Sequence, residues 1–355
     1  MKKLFHLIGE KNVKLRRTLY FKCFSSINLN DNLAFKSSLR IPSVTIVRDR
    51  NHAKKCVEIL KSAGNRFHAW DTETLGIDPK ENSPVTHGRI ICFSCFAGPD
   101  LDFGNGPRLF IDNYAECRDL VTEFKEYFEN PSYLKVWHNY GFDRHIFYHH
   151  GINVQGFGGD TLHMARMYDT SKLPNEFSLG KLSEIYHDEL IKMRKFYLNY
   201  LRKSYSTDQE KLNALNAYEG FNGEKLKKID MKTLFQSKKV LRTGEEGKSW
   251  VMPEIEELHT NPKYIKDWII YSVLDAEVTY YLRDIMQILL ESLSSSTKSH
   301  KNPVFTKYKN NYDLYLNFWR PFGELMTEME RVGIKIDLNY LRVLYIYYFN
   351  FFLYH

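Results

Sequence analysis

Phe67-His68-Ala69-Trp70-Asp71-Thr72-Glu73 is the stretch on which the reading of the fold turns. Four residues of mostly strand-forming type lead into two carboxylates spaced Asp-x-Glu. Side chains on a strand alternate between faces, so Asp71 and Glu73 point to the same side. Neighbouring carboxylates at a strand end repel each other unless a cation lies between them, and hard oxygen donors suit Mg²⁺ or Mn²⁺. Taken alone, the pair serves equally as two solvated acids opening a turn before Gly76 and Pro79. Its meaning depends on acidic positions further along the chain.

Around that stretch the composition is that of a globular protein: 355 residues, 43% hydrophobic, 26% charged, enough for a sizeable core. A net charge of +7 with 24 Tyr and 24 Phe is compatible with nucleic acid, where phosphates meet Lys and Arg and bases meet rings. No run of about 18 apolar residues occurs, so no membrane contact is expected. Five scattered cysteines argue against a disulfide framework. Cys92 and Cys95 form a Cys-x-x-Cys, but a structural zinc needs four ligands and no second pair is suitably spaced. They are read as strand residues.

Outward from Asp71 the chain divides. Residues 1–40 hold nine Lys or Arg against only Glu10 and Asp31, with paired serines, which describes an organellar transit peptide or a disordered basic arm. Strands are predicted over 43–47, 67–71, 89–97, 108–111 and 134–137. Helices are predicted over 51–63, 114–128, 144–150, 162–168, 179–186 and, opened by Asn261-Pro262, 264–290. Residues 188–262 are polar and Lys-rich and read as an insertion, with a basic cluster of Lys232, Lys238, Lys239 and Arg242. A meander of strands followed by alternating helices and strands gives a mixed sheet flanked by helices, in the α/β class.

Two further acidic sites complete the pattern. In His138-Asn139-Tyr140-Gly141-Phe142-Asp143 a strand enters a helix, with Asp143 in its first turn as a ligand or a cap. In Tyr271-Ser272-Val273-Leu274-Asp275, phenol and carboxylate are i and i+4 and share one helix face. An Asp on an apolar helix face needs a partner, and a metal is a sufficient one.

Asp71-x-Glu73, Asn139-x-x-x-Asp143 and Tyr271-x-x-x-Asp275, in that order, resemble the exonuclease motifs of the DEDD superfamily in its tyrosine branch. More closely, the chain resembles the proofreading 3′→5′ exonuclease domain of family A DNA polymerases, nearest to those of plant and protist organelles. Val136-Trp137-His138-Asn139-Tyr140, Asp160-Thr161-Leu162-His163-Met164-Ala165-Arg166, Asp102-Phe103-Gly104-Asn105-Gly106 and Met231-Lys232-Thr233-Leu234-Phe235 carry the likeness further.

The resemblance implies a ribonuclease H-like, DnaQ-like fold over 41–295 and mitochondrial or plastid location. It implies two Mg²⁺ or Mn²⁺ ions about 3.5–4 Å apart. Asp71 would bridge them; Glu73 and Asp275 would complete one site and Asp143 the other. Tyr271 would orient the attacking water. Asn139, Thr72, Lys238 and Lys239 are the expected substrate contacts, and Asp160 a cap or outer support. His138 and His163 are expected to pack or face solvent. DNA, chiefly single-stranded 3′ ends, is the expected partner, with replication proteins as further candidates. Phe318 to Leu325, with Met329 to Ile334, resembles the segment that leads into the polymerase region, placing a linker and its start over 296–341. The aromatic tail, 342–355, does not resemble the family's continuation, and no polymerase activity is expected of this chain. An RNA-trimming exonuclease of the same superfamily and a non-catalytic nucleic-acid-binding fragment are the competing readings.

Overall fold

The computed structural model describes residues 39–78, 80–220, 226, 228–240, 246–293 and 308–354. The basic arm over 1–38, Arg242 and most of the Ser-rich linker lie outside them. Six strands form one mixed sheet: β1 (Val44–Val47), β2 (Phe67–Leu75), β3 (Arg89–Phe96), β4 (Arg108–Asp112), β5 (Leu134–Trp137) and β6 (Phe157–Asp160). Their order is β1-β4-β3-β2-β5-β6. β3 is antiparallel to both neighbours, whereas β1–β4, β2–β5 and β5–β6 pair in parallel. From β4 to β6 this is the ribonuclease H-like arrangement expected from the sequence, and β1 extends it at one edge.

On one face lie α1 (Arg50–Ser62), α2 (Lys125–Glu129) and α3 (Tyr140–His149). Trp70 and Phe93 project into this layer and pack with Phe124, Phe128 and Phe147. The other face carries α4 (Thr161–Tyr168), α5 (Leu179–Ile185), α6 (His187–Ser204) and α7 (Gln209–Gly220). After α8 (Met231–Phe235) come the hairpin β7 (Ser237–Val240) and β8 (Glu246–Val251), then α9 (Ile255–Thr260). The 28-residue α10 (Ile265–Ser292) crosses the second face and is buried on most sides, as its few charges allow.

One predicted element changes, and two stretches carry elements that the sequence did not announce. The predicted helix over 114–128 is broken into two 3₁₀ turns and the short α2. Arg118 is not helical and Asp119 is left-handed (φ 69°), so apolar spacing survives without a continuous helix. Strand β6 has no strand-like sequence, but a Cβ at Gly158 would lie 3.0 Å from the Phe67 ring and 3.1 Å from the Leu134 Cβ. The glycine is there for close approach. Finally, the first part of the polar 188–262 stretch forms α6 and α7, which bury Leu190, Leu198, Leu215 and Tyr218 against α10.

The turn Asp102–Gly106 locks β1 in place. Asp102 Oδ1 accepts from the Gly104 and Gly106 N–H groups, while Asn105 Nδ2 donates to the carbonyls of Ile41 and Val44. Gly106 has φ 107°, and a Cβ there would meet the Ser43 backbone at 2.5 Å.

Past the linker, α11 (Asn311–Leu314) and a π-helical turn lead into α12 (Arg320–Val332), followed by α13 (Leu338–Tyr354). α12 docks on α3: Arg144 donates to the Glu324 carbonyl at 3.1 Å and to Thr327 Oγ1, and His145 meets Glu330 at 2.6 Å. Arg331 in return donates to the Arg144 carbonyl at 3.0 Å. Among the described residues no helix is long and apolar enough to cross a membrane.

Candidate active site

β2 continues past the expected end at Asp71, so both acids of the pair sit inside the strand, half-buried. Pairing with β3 carries it on, with a bulge where Glu73 faces Cys92 and Thr74 faces Ile90. Ile91 is the extra residue, and its carbonyl accepts from Asn113 N–H at 2.9 Å. Bulges of this kind re-aim side chains beside functional sites. Alternation puts Asp71 and Glu73 on the side of Ala69, which packs against α10, and Thr72 on the other.

From α10, Asp275 comes down onto the pair. One carboxylate oxygen from each of Asp71, Glu73 and Asp275 lies within 4.8 Å of the others. Asp143 stands beside this group rather than in it, in the first turn of α3, where Thr72 Oγ1 donates to its Oδ1 at 2.6 Å. Asn139, not Asp143, holds the cap position, and its own side chain makes no capping bond. The expectation that Thr72 touches substrate therefore meets a buried hydroxyl already given to Asp143.

The electrostatics follow from crowding. Burial, then the charges of Asp275, Glu73 and Asp143, holds the Asp71 carboxyl well above the usual range. Burial and Asp275 push Glu73 up to about 8, although Ser272 Oγ donates to its Oε1 at 3.3 Å. Burial pushes Asp143 up to about 7 against the pull of the Thr72 hydroxyl. Asp275 is raised by burial, an effect that Lys228 opposes. Carboxylates raised together in one place call for positive charge, and all-oxygen donors fit a hard divalent cation. Asp275 Oδ1 agrees with that fit: it is buried and finds no hydrogen-bond partner among the described residues.

Tyr271, one turn before Asp275, is buried, stacks on Trp268 at 6.0 Å and meets the edge of Phe235. Burial raises its hydroxyl pKa, so it remains a phenol. Lys228 Nζ pairs with Asp275 Oδ2 and lies 4.6 Å from the centre of the Tyr271 ring. Burial alone would lower the lysine; the charges of Asp275, Tyr271, Asp71 and Glu73 raise it well above its ordinary value instead. The opening to the site is lined by Asp71, His138, Asn139, Arg166, Phe177 and Lys228.

Asp160 works on backbone. Its Oδ1 accepts from Asn139 and Leu162 N–H at 2.9 and 2.8 Å, and its Oδ2 from Tyr140 N–H at 2.8 Å. It thereby caps α4 and holds Asn139 left-handed, with φ 72°. His138 is hydrogen-bonded to Thr161 at 2.8 Å, and burial lowers it to about 4. His163 lies 3.6 Å from Asp160. Lys238 and Lys239 are exposed on the β7–β8 hairpin and do not line the opening. Lys228 and Arg166 do, and sequence reasoning missed both. Lys228 follows Lys225 and Lys227, and nothing in such a run marks one lysine from another.

Acidic side chains gathered on the central strand of a ribonuclease H-like sheet, and facing a Tyr-x-x-x-Asp helix, define a nuclease class of domain. Residues 44–212 match the family model of the 3′-5′ exonuclease of DNA polymerase A, so this part of the chain is an exonuclease domain of that family. It is 38% identical over 301 residues to DNA polymerase I A, chloroplastic/mitochondrial, of Arabidopsis thaliana, covering 84% of this chain and 26% of the relative. With DNA polymerase I B, mitochondrial, of Oryza sativa subsp. japonica the identity is 34% over 305 residues, with the same coverage of 84% and 26%. The chain thus spans about a quarter of the length of these relatives. Among solved structures, the catalytic core of RRP6 from Trypanosoma brucei aligns over 71% of this chain and 48% of that one, at 12% identity and a TM-score of 0.37.

Proposed function

We propose that this chain hydrolyses DNA from the 3′ end, releasing nucleoside 5′-monophosphates, as the proofreading module of an organellar DNA polymerase. The carrying observation is the gathering of Asp71, Glu73 and Asp275 within 4.8 Å, with Asp143 alongside. These four residues would hold two divalent cations, Mg²⁺ or Mn²⁺, which when bound supply positive charge to the attacking and leaving oxygens. The remaining roles fall to the chain itself. Tyr271, kept neutral by burial and fixed by its stack on Trp268, offers a hydrogen bond that orients the attacking water. Thr72 sets the carboxylate plane of Asp143. Asn139 and the exposed Arg166 meet the incoming strand at the opening, and Lys238 and Lys239 meet it farther out.

A single strand enters such an opening more readily than a duplex, whose stacking and pairing must first be undone. The relatives named as chloroplastic or mitochondrial DNA polymerases support DNA as substrate and an organelle as location. The test uses the full chain with 5′-labelled single-stranded DNA and a matched RNA. A descending ladder on DNA with Mg²⁺ or Mn²⁺, and none in chelator, is expected. Equal digestion in chelator overturns the metal reading, and faster digestion of RNA overturns the substrate.

A further inference from the structure

Lys228 reaches the carboxylates from the segment between α7 and α8, outside every acidic motif. Its placement is built. Its N–H donates to Ser183 Oγ at 3.1 Å, Leu226 two residues earlier is buried in the core, and Asp230 two residues later caps α8. The ammonium is therefore aimed at Asp275 Oδ2, with the Tyr271 ring 4.6 Å below it. On one side it lines the opening shared with Asp71 and Asn139, and on the other a groove with Ser178, Lys181 and Tyr271.

A single ammonium is a poor match for three converging carboxylates. It leaves Asp275 Oδ1 without a partner and carries one charge where a divalent cation would carry two. Held together on the two oxygens of Asp275, ammonium and divalent cation would lie close enough to repel each other in a half-dry site. Resting on the reading that these carboxylates hold metal, we propose that Lys228 is an internal competitor for that metal. Ammonium and divalent cation exclude each other at Asp275, so Lys228 sets the threshold at which the site loads. The groove beside Ser178 and Lys181 gives the displaced side chain somewhere to go.

Calorimetric titration of the full chain with Mn²⁺, without nucleic acid, tests this. Lys228→Met should bind Mn²⁺ about tenfold tighter or more than the parent, whereas Lys228→Arg, which keeps the charge, should stay near it. If Lys228→Met shows no cooperative melting, Lys228→Gln serves the same comparison. Equal affinities for the parent and the neutral variant overturn the competitor and leave the metal reading standing. Weaker binding by the neutral variant overturns it too, making Lys228 a support of the site. If none of the proteins binds Mn²⁺, both readings fall together.

Discussion

Asp275 and Glu277 are two residues apart on α10, both buried, and treated in opposite ways. Glu277 receives Arg108 through two bonds, at 2.6 and 3.1 Å, together with the hydroxyl of Tyr218. Tyr218 is itself bonded to Tyr281 at 2.8 Å and lies beneath the Arg108 guanidinium at 4.4 Å. Every partner comes from a regular element. Asp275 instead meets two more acids and a lysine from an irregular segment, and one of its oxygens has no partner among the described residues. A buried charge answered by a rigid counter-charge holds the fold together; a buried charge crowded with its like is unfavourable unless something binds there.

The division is tested hardest at Asp275. As a proposed metal ligand, Asp275 should not tolerate loss of its charge: Asp275→Asn should slow nuclease digestion by roughly 10³-fold or more. Its melting temperature should hardly fall, because like-charge repulsion is relieved. Digestion near the parent rate would show that Asp275 is no more functional than its neighbour. Glu277→Ala should do the reverse. It takes the carboxylate away from the buried Arg108 and costs about 3–5 kcal/mol of stability, read by urea unfolding, while the folded fraction still digests. A stable but inactive Glu277→Ala would erase the distinction.

Tyr271→Phe is expected to slow digestion by ~10–10³-fold through the loss of one hydrogen bond. The Mn²⁺ midpoint of the rate should not move; a shift as large as that of Asp275→Asn would make the phenol part of the cation site.

The smallest effect is one of pH. Glu73 and Asp143 take up protons near 8 and near 7 when folded, against ordinary values of 4.5 and 3.8. Between those limits the folded chain holds more protons than the unfolded one, so its stability falls as pH rises. Buried His68 and His138, lowered to about 3 and about 4, act in the opposite sense, but only below their ordinary 6.5. Burial lowers Lys135 to about 7, so it opposes them from there upward, but one lysine against Glu73, Asp143 and the raised Asp71 leaves the carboxylates dominant from pH 6.5 to 8. Melting in chelator should drop by a few degrees across that range, and saturating Mg²⁺ should flatten the slope. A level profile in chelator would mean that the acids are better paired than their crowding implies.

What could be read from sequence is what local periodicity encodes. Alternation along β2 puts Asp71 and Glu73 on one face, and i, i+4 spacing on α10 brings Tyr271 beside Asp275. Apolar β3 announces a central strand. Strand β6 did not announce itself, because Gly158 answers to Phe67 and Leu134 and Gly159 to Tyr315, contacts that local sequence does not show. The helix expected over 114–128 failed at Ala115 and at Arg118-Asp119, where positive φ at residues 115 and 119 leaves the apolar spacing intact. The polar face of α6 and α7 concealed the leucines on their inner side. Lys228 was invisible because its position depends on Ser183 and Leu226 anchoring a segment without periodicity.

Arg144, the residue after Asp143, gives the site a mechanical property. Its side chain is gripped by Glu324 and Thr327 of α12, and its carbonyl by Arg331, 187 residues away in sequence. A torque on α12 therefore reaches the backbone of Asp143 across a single peptide unit, without passing through the sheet. Asp71 and Glu73, held in β2 by its pairing with β3, would not turn with it. α12 is thus tied to one carboxylate of the four, and a rotation of that helix would be expected to move Asp143 relative to the other acids.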